Sequence, residues 1–250
     1  MSKARVPSQR QQGRQSLLAL SMMLFPVTIY YFSPALILMA AAEGVVNASF
    51  LVFGLLFLSA LVVGRLWCGW LCPAGGLQEL GAARVNNKRV SPRLRWVKWG
   101  IWLPWVALIA VLAVRAGGYR QVNVLYQLEG GNSVNAEGWA FIFPLILVLM
   151  MAPAALLGRR ASCHWLCWMA PFLILGQKLG NAVRLPRLGL VTQPEACIEC
   201  GRCTRDCPMS LDVQAKIASG RVADDECILC GTCADNCPEQ VIHYGVRMGR

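Results

Sequence analysis

At 250 residues, with 56% hydrophobic and only 15% charged side chains, the chain is too apolar for an ordinary soluble domain. Its formal net charge of +11 is spread unevenly among short loops, a pattern of membrane topology that points away from nucleic acid. Disulfide scaffolding suits short secreted chains, and nothing here reads as a cleavable signal peptide, so the 12 cysteines are expected as thiols or metal ligands in a reducing compartment.

In chain order, residues 1–15 are polar and basic (Lys3, Arg5, Arg10, Arg14) and read as a cytoplasmic tail, disordered or lying on the membrane surface. No charged residue occurs from Ser16 to Ala42, which is long enough to cross a bilayer. Pro26 and Pro34 should kink or break this stretch, so the first span is placed at 17–38 with an irregular exit. Further spans are expected at 48–66, 96–114 and 139–157, with Trp and Tyr gathered near their ends, where amphipathic rings prefer the interface.

Orientation follows from the loops. The 39–47 loop has no Lys or Arg, only Glu43, and the 115–138 loop balances Arg115 and Arg120 against Glu129 and Glu137. The 65–98 loop carries Arg65, Arg84, Lys88, Arg89, Arg93, Arg95 and Lys98, and Arg159, Arg160, Lys178, Arg184 and Arg187 follow the fourth span. The positive-inside rule then puts both termini and every cysteine motif on the cytoplasmic side of a multi-pass protein in a bacterial or archaeal inner membrane.

A weak internal repeat follows spans two and four. Gly64-Arg65 precedes Cys68-Gly-Trp-Leu-Cys72, and Gly158-Arg159 precedes Cys163-His-Trp-Leu-Cys167. Each motif opens into an apolar stretch, 75–85 and 171–183, read as a short interfacial helix. The two CxWLC ends could face each other across a pseudo-twofold axis. Each CxxxC pair on a helix presents two thiols on one face. Together they supply four ligands for a further metal centre, or form a redox dithiol, or pack without a ligand. Only the first is followed directly by proline (Pro73); after Cys167 the order is Trp-Met-Ala-Pro171.

Residues 184–194 read as a linker, and from Glu195 the chain is short, polar and rich in glycine. Two blocks occur there: Cys197-x2-Cys200-x2-Cys203-x3-Cys207-Pro208 and Cys227-x2-Cys230-x2-Cys233-x3-Cys237-Pro238. The spacing wraps three corners of a cubane iron–sulfur cluster, and proline then turns the chain away. Zinc prefers two CxxC pairs and would leave the fourth cysteines without a role. The expected organisation is therefore a tail (1–15), a membrane domain (16–183), a linker (184–194) and a cluster module (195–250).

Four segments carry a resemblance: GRLWCGWLCPAGGLQE (64–79), CHWLCWMAP (163–171), CIECGRCTRDCPMSLDV (197–213) and ECILCGTCADNCPEQVIHYG (226–245). With four spans before a double ferredoxin block, the chain resembles the NapH-type membrane polyferredoxins, relatives of the NosR family and more distantly of the CcoG-type assembly ferredoxins. The resemblance implies an all-α membrane fold of four transmembrane helices with short interfacial helices, plus a small C-terminal α+β bacterial ferredoxin-like module holding two [4Fe-4S] clusters. In bacterial two-cluster ferredoxins the fourth cysteine of each block serves the other cluster. Carried over, Cys197, Cys200, Cys203 and Cys237 hold cluster A, while Cys227, Cys230, Cys233 and Cys207 hold cluster B.

The resemblance also implies electron transfer between the quinone pool and a partner redox subunit in a complex. The chain has no nucleotide-binding fingerprint and no CxxCH haem attachment, so terminal chemistry belongs to a partner. Arg65, Arg159 and His164 are the candidate residues near a quinone; topology anchoring and ordinary hydrogen bonding are their alternatives. Glu43 could take protons from a quinol on the opposite side, or be a solvated loop carboxylate, and His243 reads as packing. Two other functions remain open: a maturation factor that reduces a metal or disulfide through the CxxxC pairs, and a membrane redox sensor.

Overall fold

The computed structural model describes residues 8–128, 130–134 and 138–248. Lys3, Arg5, Glu129 and Glu137 lie outside the described residues.

Helix α1 spans Gln9–Thr28, with Ser8 Oγ accepting from the Gln11 backbone N–H (3.2 Å). Residues 9–15, expected as a tail, are thus its first turns. Long-range contacts impose this: Gln11 and Arg14 are buried, Gln11 Nε2 donates to the Cys230 carbonyl (2.9 Å), and Arg14 Nη1 to that of Gly69 (3.0 Å). After Pro26 the helix tightens into a 3₁₀ turn, Ile29–Phe32. Helix α2 (Pro34–Ala42) restarts with Ser33 as its cap and Pro34 in its first turn, where a missing N–H costs nothing.

Strand β1 (Val45–Asn47) leads into α3 (Ala48–Val63). Asn47 caps α3, accepting from Phe50 N–H (3.0 Å) and donating to the Leu36 carbonyl (2.9 Å). A short α4 (Leu66–Trp70) follows, and then a helical stretch over 73–85 that includes the π-helical Leu77–Ala82. Helix α5 (Val97–Arg115), strand β2 (Gln121–Asn123), helix α6 (Trp139–Leu157), a short α7 (Ala161–Trp165) and α8 (Ala170–Ala182) complete the helical N-terminal part. β1 and β2 pair in parallel, joining the two Lys- and Arg-poor loops.

Among the described residues three segments are long and apolar enough to cross a membrane: Gln9–Ala42, Val97–Arg115 and Trp139–Leu157. At 16 residues α3 falls short of the roughly 20 that a bilayer asks for. The expected span at 48–66 includes residues 64–66, but Gly64 takes a positive φ (55°) and ends the helix before them. Side chains on α5 and α6 such as Leu103, Phe141, Leu145 and Val148 are exposed, as a lipid-facing belt would be.

Helix α8, expected as an interfacial helix, packs lengthwise on α3. Gly176 and Gly180 make this approach: a Cβ on either would collide with the carbonyl oxygen of Phe57 or Leu61. The 184–194 segment is likewise more than a linker. Pro186–Thr192 is strand β3, paired antiparallel with β4 (Ile242–Met248), with Leu190 opposite Tyr244. One continuous apolar cluster runs from Ile37, Phe53 and Leu173 through Cys68 and Cys163 to Cys203, Cys230 and Ile242, so the two parts share a core.

Candidate metal centres

All 12 cysteines are free thiols. In the C-terminal part they line two cavities, each of about 320 Å³ and partly open to solvent. Cys197, Cys200, Cys203 and Cys237 line one; Cys207, Cys227, Cys230 and Cys233 line the other. Among the described residues no three His, Cys, Asp or Glu side chains converge tightly enough for a single metal ion. A cubane binds each thiolate through a different iron and so asks for wider spacing, which four cysteines around a shared space provide.

The backbone fits the same group. Non-glycine residues with positive φ recur at matching points of the two blocks: Glu199 (51°) and Leu229 (50°) before the second cysteine, Ser210 (54°) and Gln240 (50°) three residues after the fourth. Such conformations cost about 1–2 kcal/mol each and persist where the surroundings over-determine them. They turn peptide N–H groups toward sulfur: Val241 N–H donates to Cys237 Sγ (3.4 Å), and Leu211 and Met209 donate to Cys207. Burial pushes the Cys227 thiol up to about 12 and Cys207 up to about 11, so iron must displace protons to bind.

The repeat also converges. Cys72 interacts electrostatically with Cys68, Cys163 and Cys167, and Cys167 with Cys163 and Cys68, so both CxxxC pairs form one group. Cys68, Cys72 and Cys163 are buried, and Gln78 Nε2 donates to Cys163 Sγ (3.3 Å).

Two fully buried arginines flank this group. Arg65 Nη1 donates to Glu226 Oε2 (2.6 Å), and Lys98 Nζ pairs with the other oxygen. Arg160 Nη2 donates to Glu79 Oε2 (2.6 Å) and its Nη1 to the Cys68 carbonyl (2.8 Å); Arg14 holds the other Glu79 oxygen. Burial alone would raise both carboxyls, but the cations overcome it: Arg65 and Lys98 hold Glu226 at about 2, Arg160 and Arg14 hold Glu79 at about 2.

Counted back from the first cysteine of each motif, Arg65 and Arg160 occupy the same position. Pairing Arg65 with Arg159, as the Gly-Arg match suggests, misses this; spacing from the cysteine was the available signal. Glu79, Gln78 and Glu226 were also missed, because their partners come from distant segments.

Arg159 faces elsewhere, donating to the carbonyls of Asn87 (2.8 Å) and Arg205 (2.8 Å). His164 is buried, and neither ring nitrogen has a partner among the described residues. Burial, with Lys98, Arg65 and Arg95 opposing Glu226, lowers it to about 4, so it is neutral at physiological pH. Glu43 accepts from the Tyr126 hydroxyl (2.8 Å) beside the β1–β2 pair, and His243 lies exposed on β4.

The second cysteine-lined cavity abuts the CxxxC group. Trp70 Nε1 donates to the Leu229 carbonyl (3.0 Å), and Arg160 acts electrostatically on both Cys163 and Cys230. Gly69 approaches closely here, since a Cβ on it would overlap the Ile228 carbonyl oxygen. Gly69→Ala is expected to cost about 1–3 kcal/mol by overpacking and to lower the melting temperature while iron content stays at the wild-type level. A melt identical to wild type would mean that the two loops are not pressed together.

An apolar cavity, partly open to solvent, lies beside Cys72 at the break between α1 and α2. Phe25, Tyr30, Trp67, Cys72, Ile146 and Trp168 are among its walls; Arg65, Arg159 and His164 are not. Trp168 Nε1 donates to the Phe32 carbonyl (3.2 Å), whereas the buried Trp67 Nε1 has no partner among the described residues.

Comparison with known proteins agrees with this geometry. A family model described as a 4Fe-4S binding domain matches residues 47–92 and 139–186, one CxxxC motif in each. A second, described as a 4Fe-4S dicluster domain, matches residues 196–242. A relative from Escherichia coli (strain K12), named "Putative electron transport protein YccM", is 28% identical over 170 residues, or 63% of this chain and 45% of that protein. The chain thus spans less than half the length of that relative. No solved structure matches. Together these matches support a 4Fe-4S ferredoxin-type electron-transport family.

Proposed function

We propose that the chain is a membrane-anchored iron–sulfur subunit, of the NapH-like kind, that passes electrons between the quinone pool and a partner redox protein. Iron–sulfur clusters supply one-electron transfer when bound. Cys197, Cys200, Cys203 and Cys237 would hold one cluster, Cys207, Cys227, Cys230 and Cys233 a second, and the two CxxxC pairs a third. Both termini and the cluster module face the cytoplasm of a bacterial or archaeal inner membrane, with Gln9–Ala42, α3, α5 and α6 as the membrane-crossing elements.

The observation that carries the reading is that Cys72 belongs both to the four-cysteine group and to the wall of the apolar cavity. The apolar, aromatic lining suits a flat lipophilic ring such as a quinone's, and the Trp67 indole N–H is a donor for its carbonyl oxygen. The partner would dock at the other end, where Cys200 and Ile198 are exposed. The maturation alternative asks the CxxxC thiols to meet an external disulfide or metal. The burial of Cys68, Cys72 and Cys163 disfavours it.

The test is anaerobic EPR of the purified full chain, reduced with dithionite and mixed with a menaquinone or ubiquinone analogue. The reduced-cluster signal is expected to disappear with stoichiometric quinol formation, and more slowly in Ile146→Trp, which fills the cavity. A signal that persists in the wild type would reject quinone as the reaction partner and bring the maturation reading forward.

A further inference from the structure

A polar cleft of about 1120 Å³, partly open to solvent, lies on the seam between the two parts of the molecule. Gln177 and Asn181 of α8 line one side; the β3–β4 sheet and the loop before Cys227 line the other. Four arginines from four places in the chain meet there: Arg95, Arg187, Arg221 and Arg247. Arg187 and Arg247 are direct cross-strand partners in the β3–β4 register, so their side chains leave the same face. Like charges placed directly opposite in a ladder are destabilising. Arg221 adds to this: it acts electrostatically on Arg187, which burial already disfavours as a cation.

The carboxylates at hand are already engaged. Asp224 faces Lys216 Nζ (3.2 Å) and Arg95 Nη1 (3.9 Å), and Asp225 faces Lys178 Nζ (3.1 Å). Arg247 Nη1 and Arg95 Nε are buried without a hydrogen-bond partner among the described residues. Leaving such donors unmade costs about 1–3 kcal/mol each. Clustered guanidiniums, idle donors and a polar cleft are together what a phosphate group would satisfy, through charge-assisted and bidentate bonds.

We propose that this cleft binds a phosphate group, and that the bound phosphate locks the cysteine-rich module to α8. The same chemistry is offered by an anionic phospholipid headgroup and by a soluble phosphate compound. Met248, an exposed apolar side chain in the wall of the cleft, offers a lipid chain a place to rest.

The test uses the full chain, purified anaerobically with its iron in neutral detergent. Native mass spectrometry after exposure to equimolar phosphatidylglycerol and phosphatidylcholine is expected to find the anionic lipid retained by about tenfold preference. In a parallel arm, pyrophosphate is expected to raise the melting temperature of lipid-free protein. The Arg221→Gln/Arg247→Gln double variant should melt no lower than wild type without ligand, because it removes repulsion rather than a contact, and should lose both effects. Lipid retention without a pyrophosphate response assigns the site to a headgroup; the reverse assigns it to a soluble phosphate. Absence of both in the wild type, or equal binding by the double variant, overturns the proposal.

Discussion

Cys207→Ser is expected to remove iron from the cavity shared with Cys227, Cys230 and Cys233 and to leave the cavity of Cys197, Cys200 and Cys203 loaded. Sequence proximity argues for the opposite, since Cys207 ends the first block. Geometry sends it to the second: Cys207 lines the cavity of Cys227, Cys230 and Cys233, while Cys237 lines that of the first block. Iron assay should show a loss of about four atoms per chain, one cubane's worth, in Cys207→Ser and in Cys237→Ser alike. The two variants separate in their structural consequences. The Cys227–Cys233 loop carries the joint, with Glu226 bound by Arg65 and Lys98, the Leu229 carbonyl by Trp70 and Tyr244, and the Cys230 carbonyl by Gln11. Cys207→Ser should therefore also expose the seam to limited proteolysis at Arg184 and Arg187, and Cys237→Ser should not. Equal proteolysis of the two, or loss of all cluster iron in both, would reject the crosswise division.

What could be read in the sequence divides along the range of the interactions. The cysteine blocks are local patterns imposed by one ligand, so their spacing carries their geometry. The break near Phe32 is local too, set by Pro26 and Pro34. The helical state of residues 9–15 is not local: Gln11 and Arg14 look like solvated tail residues until the Gly69 and Cys230 carbonyls are placed beside them. Strand β3 has its partner about fifty to sixty residues downstream, so RLGLV reads as a linker. Glu79 and Glu226 look like surface acids for the same reason. Their buried arginines, three residues before each CxxxC motif, become visible only when the repeat is aligned on the cysteines. The apolar cavity is shaped by four separated stretches of chain, 25–34, 67–74, 142–150 and 168–169, and no single one encodes it.

Glu226→Gln is expected to be the most destabilising single change outside the cysteines, at about 3–5 kcal/mol, because it leaves two buried cations unpaired. Arg65 and Lys98 have side chains only 1% and 0% exposed, and Glu226 is the acid that both contact. Glutamine keeps the shape and one acceptor oxygen but not the charge, and it points an amide N–H₂ at one of the cations. The same carboxylate predicts a pH dependence. Its folded pKa is depressed from 4.5 to about 2, so the stability it contributes is fully present above about pH 4.5 and is lost as the pH falls toward 2. A shift of that size corresponds to roughly 3 kcal/mol, to order of magnitude. Melting followed by circular dichroism across this window should therefore fall more steeply in the wild type than in Glu226→Gln, and the two curves should approach each other at the acid end. Iron is lost from both proteins in acid, so the difference between the curves, not either curve alone, reports on Glu226. Parallel curves would place the coupling between the helical N-terminal part and the cysteine module elsewhere. The next candidate is then the Arg14–Glu79–Arg160 group, which is built the same way on the other arm of the repeat.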